Sequence, residues 1–179
     1  FMTRLAQLSY LDAGPRLAAE FLNKNGIHLV IERHLPRTHL DGAAMAMPDG
    51  SPLIALTLRF DRLDNFWFTL FHELAHVALH LDQDGFEVFF DDLTKEGHDK
   101  CEREADSTAQ EALIPAQRWK ASGLAQHASV EAVVELAKEL QISPAIPAGR
   151  VRHERRDFTL LKHLVGQGKV RCLFQTSPG

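Results

Sequence analysis

The stretch Asp61–Leu81 constrains this chain more than any other, because it sets two histidines and a glutamate inside an otherwise apolar helical pattern. On a 3.6-residue repeat Phe66, Leu70, Leu74, Val77 and Leu81 share one face, which Trp67, Phe71 and Ala78 widen. A helix this hydrophobic belongs at the centre of a fold, enclosed on most sides. His72, Glu73 and His76 project from the other flank in the order H-E-x-x-H. Residues i and i+4 lie one turn apart on the same face, so both imidazoles can reach one Zn²⁺ at about 2.0–2.1 Å. Glu73 is turned about 100° from His72, where it acts on water as a general base instead of ligating the ion. The plain alternative is two surface histidines on an amphipathic helix. The apolar setting disfavours it, since an unpaired polar group on a buried helix is costly.

A third ligand is needed. His80 continues the face, but with a rise of about 1.5 Å per residue it stands about 12 Å from His72 along a straight axis. Val77-Ala78-Leu79 also fills the interval where a sharp-turn glycine would let a third histidine fold back. His80 therefore reads as a support behind the ligands or as a satisfied core histidine. The better candidate lies on a second helix, expected over Lys100–Leu113 and ended by Pro115. There Glu102-Arg103-Glu104-Ala105-Asp106 puts Glu102 and Asp106 one turn apart. Glu102 is the expected metal ligand, and Asp106 the acceptor for a ligand histidine's outer nitrogen. Glu104 points elsewhere, as a solvated charge, while small Ala105 suits close helix packing.

These motifs resemble the ImmA/IrrE family of zinc metallopeptidases over residues 59–115. The resemblance is carried by Phe68-Thr69-Leu70-Phe71-His72-Glu73-Leu74-Ala75-His76-Val77-Ala78-Leu79-His80, by Glu102–Asp106, and by Glu111-Ala112-Leu113-Ile114-Pro115. It implies a thermolysin-like zinc core, a two-His-one-Glu site with one zinc per chain, and a regulatory role. Members cleave repressor proteins in response to stress or mobile-element signals, so the implied partner is a repressor or antitoxin-like protein. Ser107-Thr108-Ala109-Gln110 departs from the family's usual aromatic and alanines, which alters packing below the site. The tail Arg150-Val151-Arg152-His153-Glu154-Arg155 resembles a subgroup in which a helix-turn-helix regulator precedes the peptidase. Phe1 before Met2 fits a piece of a longer protein, with such a domain expected upstream.

The rest of the chain predicts an α+β fold, with a small, mainly antiparallel sheet packed on one side by helices. A helix is expected over Asp12–Asn25 with Gly26 as its stop, then strands at Ile27–Ile31, Asp41–Met47 and Leu53–Leu58. Leu35–Leu40 reads as irregular, Pro48-Asp49-Gly50 as a turn, and Gly85 with Asp91-Asp92 as a loop. A further helix is expected over Ser129–Leu140 with Ser129 as N-cap, and a short helix then an extended segment over Asp157–Phe174. At 179 residues one domain is expected, with a core over about 10–145 and a C-terminal appendage over about 146–179. The net charge of −4 and pI near 6.2 are too mild to imply nucleic-acid binding. Arg150, Arg152, Arg155 and Arg156 read as a solvated face or, less simply, a phosphate patch. Cys101 and Cys172 form no disulfide framework, no span or secretory signal is present, and the cytoplasm is the expected location. His98 is a candidate substrate contact or plain loop histidine, Tyr10 has no sequence link to the site, and Trp67 and Trp119 read as core or groove residues. The rival to a peptidase is a zinc-containing sensor module that controls an attached regulator without cleaving anything.

Overall fold

The computed structural model describes residues 1–32, 34, 40–81 and 95–174, with backbone alone for 95–99. The loop expected around Gly85, Asp91 and Asp92, most of Leu35–Leu40 and the side chain of His98 lie outside these residues. Seven α-helices and three strands form an α+β fold: α1 (Met2–Gln7), α2 (Gly14–Lys24), β1 (His28–Ile31), β2 (Gly42–Ala46), β3 (Pro52–Leu56), α3 (Leu63–Leu79), α4 (Lys95–Leu113), α5 (Ala116–Ser122), α6 (Val130–Leu140) and α7 (Ala145–Arg155). None of the described helices is long and apolar enough to cross a membrane.

The sheet has the order β1-β3-β2, with β2 antiparallel and β1 parallel to β3. It is thus mixed, where a mainly antiparallel sheet was expected. β2 lies at the far edge from β1, and the hairpin that follows it returns β3 between the two. That hairpin turns at Pro48-Asp49-Gly50: Met47 N donates to Ser51 O at 2.8 Å, and Gly50 adopts φ +82°, which a side chain would resist.

α3 runs through the middle, as its sequence requires. Phe66, Trp67, Leu70 and Phe71 have almost no exposed surface, although Ala78 at the C-terminal end faces out. Trp119 joins the same core. The α4 helix begins earlier than expected, at Lys95. Ser129 caps α6 as predicted, its Oγ accepting from Ala132 N at 3.1 Å.

Past residue 146 the chain stays in this core, where Ala148, Val151, Val165 and Val170 join the main hydrophobic cluster. Neither the short helix nor the extended segment expected over Asp157–Phe174 forms. Residues 157–164 are turns, Gln167 makes one bridge with Arg62, and Arg171–Leu173 is a 3-10 helix. The reason is where the hydrogen bonds go. Val165 O accepts from Leu63 N at 3.0 Å, and Asp61 Oδ1 accepts from Val170 N and Arg171 N at 2.9 and 3.0 Å. The tail thus satisfies the open donors at the start of α3 in place of its own helix.

Of the arginine cluster only Arg156 is exposed as a solvated charge would be. Arg152 is buried, Arg150 bonds Glu154 and Ile114 O, and Arg155 donates to Leu124 O and Ala125 O. α7 crosses α3 at Gly149, where an added Cβ would stand 2.6 Å from Asp64 Cβ. Gly149→Ala is therefore expected to cost about 1–3 kcal/mol through overpacking, read as a lower urea midpoint. An unchanged midpoint would mean the two helices are not locked there.

Candidate metal centre

The site forms where α4 packs on α3, with Ala105 fully buried so that the two helices can approach closely. His72 and His76 turn their Nε2 atoms to within 3.1 Å of each other. Glu102 completes the group, with Oε2 3.2 Å from His72 Nε2 and Oε1 3.4 Å from His76 Nε2. One donor atom from each of the three lies within 4.8 Å of the others, so the group is able to hold a metal ion. Two imidazole nitrogens and a carboxylate oxygen suit a divalent cation of intermediate softness. The three residues singled out from the sequence as ligands are thus brought together by two helices.

The outer nitrogens are held as well. His72 Nδ1 lies 2.8 Å from Asp106 Oδ1, the contact expected of that carboxylate. With Nδ1–H donating there, the Nε2 lone pair faces the group. His76 Nδ1 meets His80 Nδ1 at 3.0 Å, and His80 Nε2 meets Glu104 Oε2 at 3.3 Å. His80 accordingly stands behind His76, outside the three-residue group. Glu104 is exposed, as expected of a solvated charge, but it is not without a partner. It partners His80, with Lys100 Nζ 3.6 Å from its other oxygen, and the His80 bond is the main cause of its lowered pKa. The i, i+4 spacing of His76 and His80 was a usable signal for their contact; nothing local paired His80 with Glu104.

Burial sets the electrostatics. For His72 desolvation opposes protonation, but the Asp106 hydrogen bond and the charges of Glu73, Asp106 and Glu102 outweigh it and raise the pKa. For Glu73 desolvation dominates, and despite the opposing pull of His72 its pKa rises to about 7. β2 seals that carboxylate from one side. A Cβ on Gly42 would stand 2.6 Å from Glu73 Oε1 and 2.8 Å from Thr69 Cγ2, so only glycine fits. Gly42 escaped the sequence reading because no local pattern relates it to a residue on α3. Of the other candidates, Cys101 is a half-buried free thiol and Tyr10 is exposed on the N-terminal 3-10 helix.

The arrangement can bind a cation through three side chains and hold a proton on a buried carboxylate beside it. Residues 23–152 match the IrrE N-terminal-like domain, a peptidase family, and the match takes in the whole three-residue group. No curated protein matches the chain. With most of its length inside that match, the chain belongs to the IrrE N-terminal-like domain family and is a metallopeptidase-like domain.

Proposed function

We propose that this domain is a zinc-dependent endopeptidase whose substrate is a transcriptional repressor or antitoxin-like regulatory protein. The observation that carries the reading is a buried carboxylate with a pKa of about 7 beside an open group of three metal-ligating side chains. Ligand spacing supports zinc: a tetrahedral ion with bonds of about 2.0–2.1 Å keeps its ligands about 3.3 Å apart, and the three side chains stand 3.1, 3.2 and 3.4 Å apart. Among the described residues the group has three protein ligands, the number of a catalytic site, whereas a structural site is closed by four. That favours the enzyme over the sensor module, which has no use for a base at Glu73. The regulatory substrate rests on the resemblance of these motifs to the ImmA/IrrE family.

Zinc bound by His72, His76 and Glu102 would supply Lewis-acid polarisation of a peptide carbonyl and a more acidic water. Glu73 takes the proton of the water that adds to the carbonyl carbon, and gives it to the leaving amine nitrogen as the C–N bond breaks. Asp106 and His80 keep the two imidazoles oriented. Among the described residues β2 is an outer strand, with Gly42 against Glu73, so a substrate extended along that edge brings its carbonyl to the base.

Co-expression with the regulators encoded beside this protein, comparing wild type with Glu73→Gln, tests the reading. Loss of one regulator in the wild type alone is expected, and survival of all of them in both strains would count against cleavage. Elemental analysis after dialysis should find one zinc per chain in the wild type and in Glu73→Gln, and none in His72→Ala or Glu102→Ala. Cleavage by Glu73→Gln should fall by about 10²–10⁴-fold. In a chelator titration Asp106→Ala should hold zinc ~10–100-fold more weakly; unchanged affinity would place Asp106 outside the ligands' support.

Glu73 also makes the metal-free protein sensitive to pH. Its folded pKa of about 7 exceeds the ordinary 4.5, so the folded state holds the proton more tightly than the unfolded chain. The resulting stability is fully present below pH 4.5 and is lost as pH rises towards 7. Metal-stripped wild type should therefore lose roughly 3 kcal/mol relative to Glu73→Gln across that window, measured by urea unfolding at each end. A difference that does not change with pH would refute a buried, proton-holding Glu73.

A further inference from the structure

Outside the metal centre, a cavity of about 420 Å³ opens between the start of α3, the end of α4 and α7. That volume falls within the ~300–1,000 Å³ of small-molecule sites, which are mostly apolar with a few fixed polar groups. Phe60, Phe68, Leu113 and Ile146 give this cavity its apolar wall. Charged side chains complete it, and all but one of the ionic pairings are already made. Arg62 grips both oxygens of Asp64, at 2.9 and 3.0 Å. Glu154 accepts from Arg150 Nε at 2.9 Å and from Trp119 Nε1 at 3.1 Å.

Arg152 is the exception. It lines the cavity, is 6% exposed, and spends Nη2 on Phe158 O. Its Nε and Nη1 are buried and have no hydrogen-bond partner among the described residues. Asp157, on the same stretch of chain, turns its Oδ1 to Thr159 instead. Burial and then the nearby charge of Arg62 pull the Arg152 pKa down, and the charges of Asp64 and Asp157 offset this only in part. A buried charge without a partner is strongly unfavourable, and so are its unsatisfied donors.

We propose that this cavity binds a small organic carboxylate, with its apolar body among Phe60, Phe68 and Ile146 and its carboxylate on Arg152. With Nη2 turned to Phe158 O, the open Nε–H and Nη1–H point to different sides of the guanidinium, so the carboxylate accepts a single charge-assisted hydrogen bond from one of them. A buried cation with open donors calls for an anionic acceptor. The ring of Phe158 stands 5.8 Å from the Arg152 guanidinium and is 58% exposed, so it is the movable cover that an incoming ligand displaces. The occupant would lie one ring from the metal centre, because Phe68 meets both His72 and His153, at centroid distances of 6.2 and 6.4 Å. Binding here does not depend on peptide cleavage and is read without it.

Isothermal titration calorimetry of the full chain with phenylacetate, 4-phenylbutyrate and octanoate, each beside its neutral amide, is the test. At least one acid is expected to bind ~10-fold or more tightly than its amide, and Arg152→Gln to abolish that preference. Because Arg152 is buried, Gln110→Trp provides a second variant: it fills the cavity from a half-buried wall position and leaves Arg152 in place. It should remove binding while keeping the circular dichroism of the wild type. Equal binding of acids and amides, no binding of any acid at millimolar concentration, or full binding by Gln110→Trp would overturn the proposal. Phenyl phosphate binding more tightly than every acid would overturn the choice of carboxylate over phosphate.

Discussion

An ionised carboxylate inside a protein is expensive, and Glu73 occupies the buried middle of α3, between Phe71 and Leu74. The neighbouring elements are arranged around that cost. α4 brings Glu102 and Asp106 to His72, His80 and Glu104 stand in line behind His76, and β2 closes over Glu73 at a residue without a side chain. The imidazoles are therefore satisfied on their outer nitrogens, with their inner nitrogens left facing a common point. Glu73 instead meets its cost by holding a proton near neutral pH.

The same helix depends at its start on sequence far away. Val165 O caps Leu63 N, Arg171 reaches Leu58 O, and Gly149 lets α7 rest on Asp64. A buried hydrogen bond from Ser143 N to Ser9 Oγ ties the N-terminal segment to the approach of α7. This bracing fixes the end of α3 opposite the turn that carries His72 and His76, and it places three arginines of different fates around one cavity. Arg62 and Arg150 are neutralised by acids from their own segments, whereas Arg152 is carried inward by the buried face of α7 and meets none.

The grouping of His72, His76 and Glu102 was readable from sequence because its logic is local. The four-residue spacing of His72 and His76, and of Glu102 and Asp106, places each pair on one face whatever surrounds the helix. Helix ends were similarly legible at Gly26, Pro115 and Ser129, where backbone chemistry leaves few choices. The strands were found within a residue or two, since short apolar runs between turn residues have few other uses.

Tertiary structure alone decided the relations between distant segments. The parallel pairing of β1 with β3 depends on how a connection crosses the sheet, which residue pattern does not encode. The tail between Asp157 and Phe174 has enough helical periodicity to mislead, because the competing hydrogen bonds lie about a hundred residues away on α3. Arg152 looked like one of four solvated charges, and its burial follows from which face of α7 packs inward. Gly42 acquires its importance from a carboxylate on another element. Sequence determined which side chains one helix turn presents together; only the folded chain decided what stands opposite them, because contact across segments is set by packing and not by spacing along the chain.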